Sequence, residues 1–247
     1  MYQITINLST KYLYWFYAVE SELKKEIMDF AIMANTFKKD RCYYAFACEN
    51  INKSKLNETL KKNITKILSK ESKYTFFDER INLPIISKAE KNLLISALVG
   101  FDSEQEIDEI SNSFFITDGL CIDGIYNFRL KSLKERWNEV LQLTVDNSIF
   151  LSDKDIFYEV IKFLFSSIKP KINKIYINMD NGAYLMHSVS NGKRIRVAYD
   201  EEQLLCSLIE YAPIEIYFKE DIRQNGTINK LSKLFNFKED SKNNILI

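Results

Sequence analysis

The amino-acid sequence predicts a helix-rich α+β fold, and three observations carry that prediction. Apolar and polar residues alternate at the start of the chain, with Ile4, Ile6 and Leu8 set against Gln3, Thr5 and Asn7, while strand-like runs separated by Asn-Gly turns occupy residues 174–198; a period of two is that of a half-buried strand. Between these ends, apolar residues recur three and four apart, as on amphipathic helices. The 247 residues include only 6 Gly and 3 Pro, too few for a many-turned β-sandwich or a glycine-rich cofactor cradle.

In chain order, a strand at residues 2–8 opens the fold, a helix is predicted over 21–35, and Arg41–Cys48 (RCYYAFAC) follows as a buried strand. Leu56, Leu60, Ile64, Ile67 and Leu68 then make one helical stripe, with Lys53, Lys55, Lys61, Lys62, Lys66 and Lys70 mostly on the solvated side. Two capping boxes, Ser87-x-x-Glu90 and Ser103-x-x-Glu106, mark two further helix starts. The Asp118-Gly119 pair between apolar runs predicts a hairpin over 114–122. The longest helix is expected over about 124–151, antiparallel to a second that runs to Ile168 and is stopped by Pro170. A three-stranded meander (174–198), a helix capped by Asp200 and Gln203, a strand at 214–218 and a weak helix near 229–235 complete the chain. These elements group into an N-terminal βαβα-like segment (1–82), a central helical region with the long helix pair (83–172) and a C-terminal three- to four-stranded sheet with one helix (173–247), all of which can share one compact domain.

With 46% hydrophobic and 13% aromatic residues, the chain can bury one large core or two smaller ones without disulfides or metals. Its 34 basic residues balance 34 acidic ones, so no global field draws it to nucleic acid or to an anionic bilayer. No signal peptide is read at the start, and the longest apolar run, residues 12–19, is far short of the ~20 residues that cross a bilayer; a cytoplasmic protein without a membrane span is expected. Cys42, Cys48, Cys121 and Cys206 stand singly, without CxxC spacing, which predicts reduced core thiols and no metal site. No cofactor is expected.

The stretch Asp123-Gly124-Ile125-Tyr126-Asn127-Phe128-Arg129-Leu130-Lys131, with Val145-Asp146 further on, resembles the YtxC family of endospore-forming bacteria. Tyr158–Leu164 (YEVIKFL) and Leu204–Ile216 (LLCSLIEYAPIEI) resemble that family's next helix and its C-terminal helix-Ala-Pro-strand pattern. The resemblance covers about half the chain, beyond residue 120, and implies a role in sporulation. The family has no established activity, ligand or catalytic residues, so a context is implied and a mechanism is not.

Taken as one helix from Ile125, the long segment places Arg129, Arg136 and Asn147 within or at the edge of its apolar sector. A buried arginine needs a partner: either a fixed carboxylate such as Glu79 or Glu106, or, as a candidate anion site, the phosphate or carboxylate of a ligand. Tyr12, Tyr14, Trp15 and Tyr17 form an aromatic cluster suited to the core or to an interaction surface. His187, the single histidine, has no nucleophile or acid beside it in sequence. The favoured expectation is a non-enzymatic sporulation protein with an unidentified protein partner. The alternatives are a nucleic-acid binder using the lysine-rich helix with Arg194 and Arg196, and an enzyme or anion-binding protein using Arg129 and Arg136. Self-association remains open.

Overall fold

A computed structural model describes residues 1–27, 32–145, 151–188, 194–218, 234–235 and 237–239. In chain order the elements are β1 (Tyr2–Ser9), α1 (Leu13–Glu26), β2 (Ile32–Lys38), β3 (Arg41–Cys48), α2 (Lys53–Lys66), α3 (Lys73–Asp78), α4 (Lys88–Gly100), α5 (Ser103–Asn112), β4 (Leu120–Cys121), a single turn α6 (Ile122–Gly124), α7 (Lys131–Val145), α8 (Lys154–Ser166), β5 (Ile172–Asp180), β6 (Ala183–Ser188), β7 (Arg194–Ala198), α9 (Glu201–Tyr211), β8 (Pro213–Phe218) and β9 (Phe237–Glu239). The fold is α+β, with one sheet ordered β2-β3-β1-β4 and another ordered β7-β6-β5-β8-β9. The chain divides into two compact units, Met1–Thr75 with Glu104–Asn138 and Phe76–Ser103 with Glu139–Ile247.

In the first unit, β1 pairs antiparallel with β3 over its full length, Tyr2 opposite Cys48 and Ser9 opposite Arg41. Alternate residues Ile4, Ile6 and Leu8 and their cross-strand partners Phe46, Tyr44 and Cys42 are buried, as the period-two pattern requires. The helix expected over 21–35 is displaced. Tyr12, Trp15, Val19, Leu23 and Ile27 are buried at spacings of three and four, so the amphipathic stripe begins earlier and α1 starts at Leu13. Residues 32–38 instead form β2, which pairs with β3 through a tight turn at Lys39 and Asp40, with Lys39 in the left-handed region at φ 57°.

The stripe Leu56, Leu60 and Ile64 is buried as expected. A π-helical turn, Ile67–Ser72, then inserts extra backbone and shifts the helical phase, so that Ser69, Ser72 and Lys73 also turn inward. The hairpin expected around Asp118-Gly119 does not form. Leu120 and Cys121 lie parallel to Ile6 and Asn7 of β1, because the Asp118 carboxylate accepts the Thr5 N–H at 2.8 Å and docks the turn on the sheet.

The helix expected over 124–151 is interrupted. Ile125–Arg129 is a π-helical turn, Leu130 leaves helical geometry at φ −102°, ψ 30°, and α7 starts afresh at Lys131. Helical phase therefore does not carry across Leu130.

In the second unit, β5 and β6 form the expected hairpin, with Asn181 at φ 49° and Gly182 at φ 79°, the double left-handed turn that suits a two-residue hairpin. β7 extends the meander. The Asp200 carboxylate accepts the Gln203 N–H at 2.7 Å and caps α9, and Ala212 at φ 41° turns the chain into β8, which runs parallel to β5. α4 packs on α8 and α9. Leu93, Leu94, Leu98, Leu204, Leu205 and Leu208 are all buried, each contributing ~1.5–3 kcal/mol by leaving water. A short parallel strand, β9, lies where only a polar tail was expected.

Candidate functional site

Arg129 emerges at the end of a strongly braced loop. Arg41 donates to the Asn7 side-chain oxygen at 3.1 and 2.7 Å, to the Asp123 carboxylate at 3.1 Å and to Cys121 Sγ at 3.0 Å. One guanidinium thus ties β1, β4 and α6 together, a use of its planar fork that lysine could not copy. Downstream, Ile125 and Leu130 are buried and pin both ends of the π-turn. The residues between them are pushed outward, leaving Phe128 73% exposed and Arg129 on the surface.

Arg129, Phe128, Ile125 and Gly124 line one side of an open cleft of about 580 Å³, and Ser113, Phe114, Phe115 and Thr117 are on its wall as well. Phe115 is 78% exposed, and the Lys61 ammonium stands 5.9 Å from its ring centroid. Among the described residues, Arg129 is the one charged side chain in the lining, and no carboxylate pairs with it. A water-facing guanidinium beside two exposed aromatic rings can take an anionic group attached to an apolar body.

The other sequence candidates are placed differently. Arg136 is exposed rather than inward, because the buried face of α7 is set by Leu133, Trp137 and Leu141, and it ion-pairs with Glu109 on α5. Arg129 is likewise exposed rather than buried, since the segment Ile125–Arg129 is π-helical and does not keep the 100° step of an α-helix. Asn147 lies outside the described residues. Glu106, expected to meet an arginine, is buried and receives the Lys73 ammonium at 2.7 Å and the Trp137 indole N–H at 2.7 Å. Among the described residues no carboxylate lines the cleft with Arg129, and Arg136 meets its carboxylate, Glu109, at the surface.

The aromatic cluster divides in two. Tyr12 and Trp15 are core: the Tyr12 hydroxyl shares a 2.9 Å hydrogen bond with Ser72, and the Trp15 indole donates to the Asn63 carbonyl at 3.2 Å. Tyr14 and Tyr17 are 53% and 68% exposed. Partial burial and the nearby Glu71 carboxylate push the Tyr14 phenol up. His187 is buried on β6. Burial pushes the Cys42, Cys48 and Cys206 thiols up, which makes them poor nucleophiles. Among the described residues no three His, Cys, Asp or Glu side chains are grouped to hold a metal ion, and no helix is long and apolar enough to cross a membrane.

Phe115 and Phe128 are functional candidates that sequence reasoning missed. Their signal was an aromatic residue on each side of the Asp118-Gly119 turn, hidden by treating residues 114–122 as a hairpin and 124–151 as one helix. No protein-family model, curated protein or solved structure matches the chain.

Proposed function

We propose that the protein is a non-enzymatic binding protein of the sporulation programme, acting in the cytoplasm, that holds a protein partner at the Arg129 cleft. One observation carries the reading: an arginine with no carboxylate partner among the described residues lines an open cleft between exposed Phe115 and Phe128. The fitting epitope is an acidic group next to an apolar or aromatic side chain. The context rests on the resemblance of residues 123–131, 158–164 and 204–216 to the YtxC family. A photo-reactive amino acid at position 128, in cells entering sporulation, is expected to capture a discrete partner, and Arg129→Glu to abolish that adduct. An adduct pattern indifferent to both Arg129→Glu and Phe115→Ala removes the cleft from consideration.

A second reading draws on Lys61 above the Phe115 ring. Cations interleaved with aromatics suit single-stranded nucleic acid. Affinity for a labelled oligonucleotide that falls steeply with salt favours it, and no binding even at low salt removes it.

A further inference from the structure

Among the described residues the two sheets present four edges, and three of them are blunted against pairing. β4 is two residues long and β9 three, and β7 carries exposed Arg194 and Arg196 along its short length. Short edge strands and edge charges are the usual devices by which a sheet refuses a further strand. The fourth edge, β2, is longer and nearly uncharged. It runs seven residues, Ile-Met-Ala-Asn-Thr-Phe-Lys, with its one charge at the last position and no proline. It pairs on one side with β3, and among the described residues no strand takes its other side. Residues 34–38 are all exposed.

The surface beside this edge is apolar. Cross-strand partners share a face, so Asn35 and Phe37, opposite Tyr44 and Cys42, lie on the face that is buried at β3. Phe37 is nevertheless 53% exposed, so the covering layer stops at β3. Tyr17, 68% exposed, sits near enough to Tyr44 for their phenols to interact electrostatically. An open row of backbone donors and acceptors is therefore flanked by the exposed Phe37 ring, with exposed Tyr17 near Tyr44 of the adjoining strand.

We propose that β2 is the contact between two copies of this chain, paired antiparallel across a two-fold axis at Asn35. Full overlap of the seven residues, a span of about 23 Å at ~3.3 Å per residue, fixes that axis. In this register Asn35 faces its mate, Ala34 faces Thr36, and Lys38 faces the uncharged Ile32. No like charges meet, and the surface is complementary to itself, as a two-fold interface must be. Strand pairing alone buries less than a stable dimer needs, and Phe37 and Tyr17 on both copies supply the additional apolar area.

Sedimentation velocity of the full chain across a micromolar concentration series tests the proposal. The expected species is a dimer of the 29.1 kDa chain. Ala34→Lys with Thr36→Lys sets two cations opposite two cations and is expected to weaken the dimer about tenfold or more. Ala34→Glu with Thr36→Lys sets opposite charges face to face at the same positions and is expected to keep it. That second variant also shows that both positions tolerate substitution. A wild-type chain that stays monomeric overturns the proposal and leaves the edge to an extended segment of another protein. A dimer that survives the double lysine change places the contact elsewhere, and a monomeric Glu/Lys variant rejects the register.

Discussion

At Glu106 both carboxylate oxygens are occupied, one by the Lys73 ammonium and one by the Trp137 indole, with the Lys73 side chain only 1% exposed. Removing one partner of such a pair strands a charge out of water, which costs about 3–5 kcal/mol. Glu106→Gln is therefore expected to lower the unfolding free energy by that amount in denaturant titration. Glu109→Gln, which breaks the half-exposed pair with Arg136, is expected to cost no more than ~1 kcal/mol. Equal losses would mean that Glu106 and Lys73 are not sequestered as described. This contrast was not legible in the sequence. Lys73 and Glu106 are 33 positions apart, and nothing in local spacing says that a π-turn rotates one lysine inward while its neighbours stay wet. The aromatic cluster was half legible: its stripe at 12, 15, 19 and 23 is regular, yet Tyr12, Tyr14, Trp15 and Tyr17 read as one cluster, for core or surface, until helical phase divides them.

Helix starts were the most legible elements, because their chemistry is local. Ser87 and Glu90 form the capping box that their spacing predicts: the Ser87 hydroxyl accepts the Glu90 N–H at 3.2 Å and the Glu90 carboxylate accepts the Ser87 N–H at 2.8 Å. Burial pushes the Glu90 carboxyl up, but the Lys154 ammonium and the Ser87 donors outweigh it and hold it below its ordinary value. A carboxylate whose pKa is depressed on folding adds stability that is complete above its unfolded value and is lost as pH falls through the folded one. Glu90→Gln is thus expected to destabilise at neutral pH and to flatten the loss of thermal stability on acidification below the ordinary carboxylate range. An unchanged acid slope would assign that sensitivity to other carboxylates. Ser87→Ala should cost ~0.5–2 kcal/mol at neutral pH. The second box also marks a helix start, since α5 begins at Ser103, although the Glu106 carboxylate is taken by Lys73 and Trp137 in the core. The long helix failed: its apolar residues keep helical spacing on both sides of Leu130, and a backbone break with φ −102° leaves no mark in composition.

Over the whole molecule, the class of fold was legible and the order of strands was not. The parallel pairings β1 with β4 and β5 with β8 join segments far apart in sequence, and periodicity carries no information about such partners. The charge balance was legible and has a consequence. With 34 basic and 34 acidic residues, no net repulsion opposes association of like copies, and no global attraction drives it. Self-association through β2, whose paired positions bring no two charges together, should then depend on backbone hydrogen bonds and apolar area alone. Its dissociation constant is expected to change less than about threefold between roughly 50 and 500 mM salt, whereas capture of an acidic partner by Arg129 should weaken over the same range. Sedimentation velocity at both ionic strengths reads the first, and cross-linking yield at position 128 reads the second. A dimer that dissociates as salt rises would show that charged side chains hold it, and the uncharged edge of β2 could not then be the surface responsible.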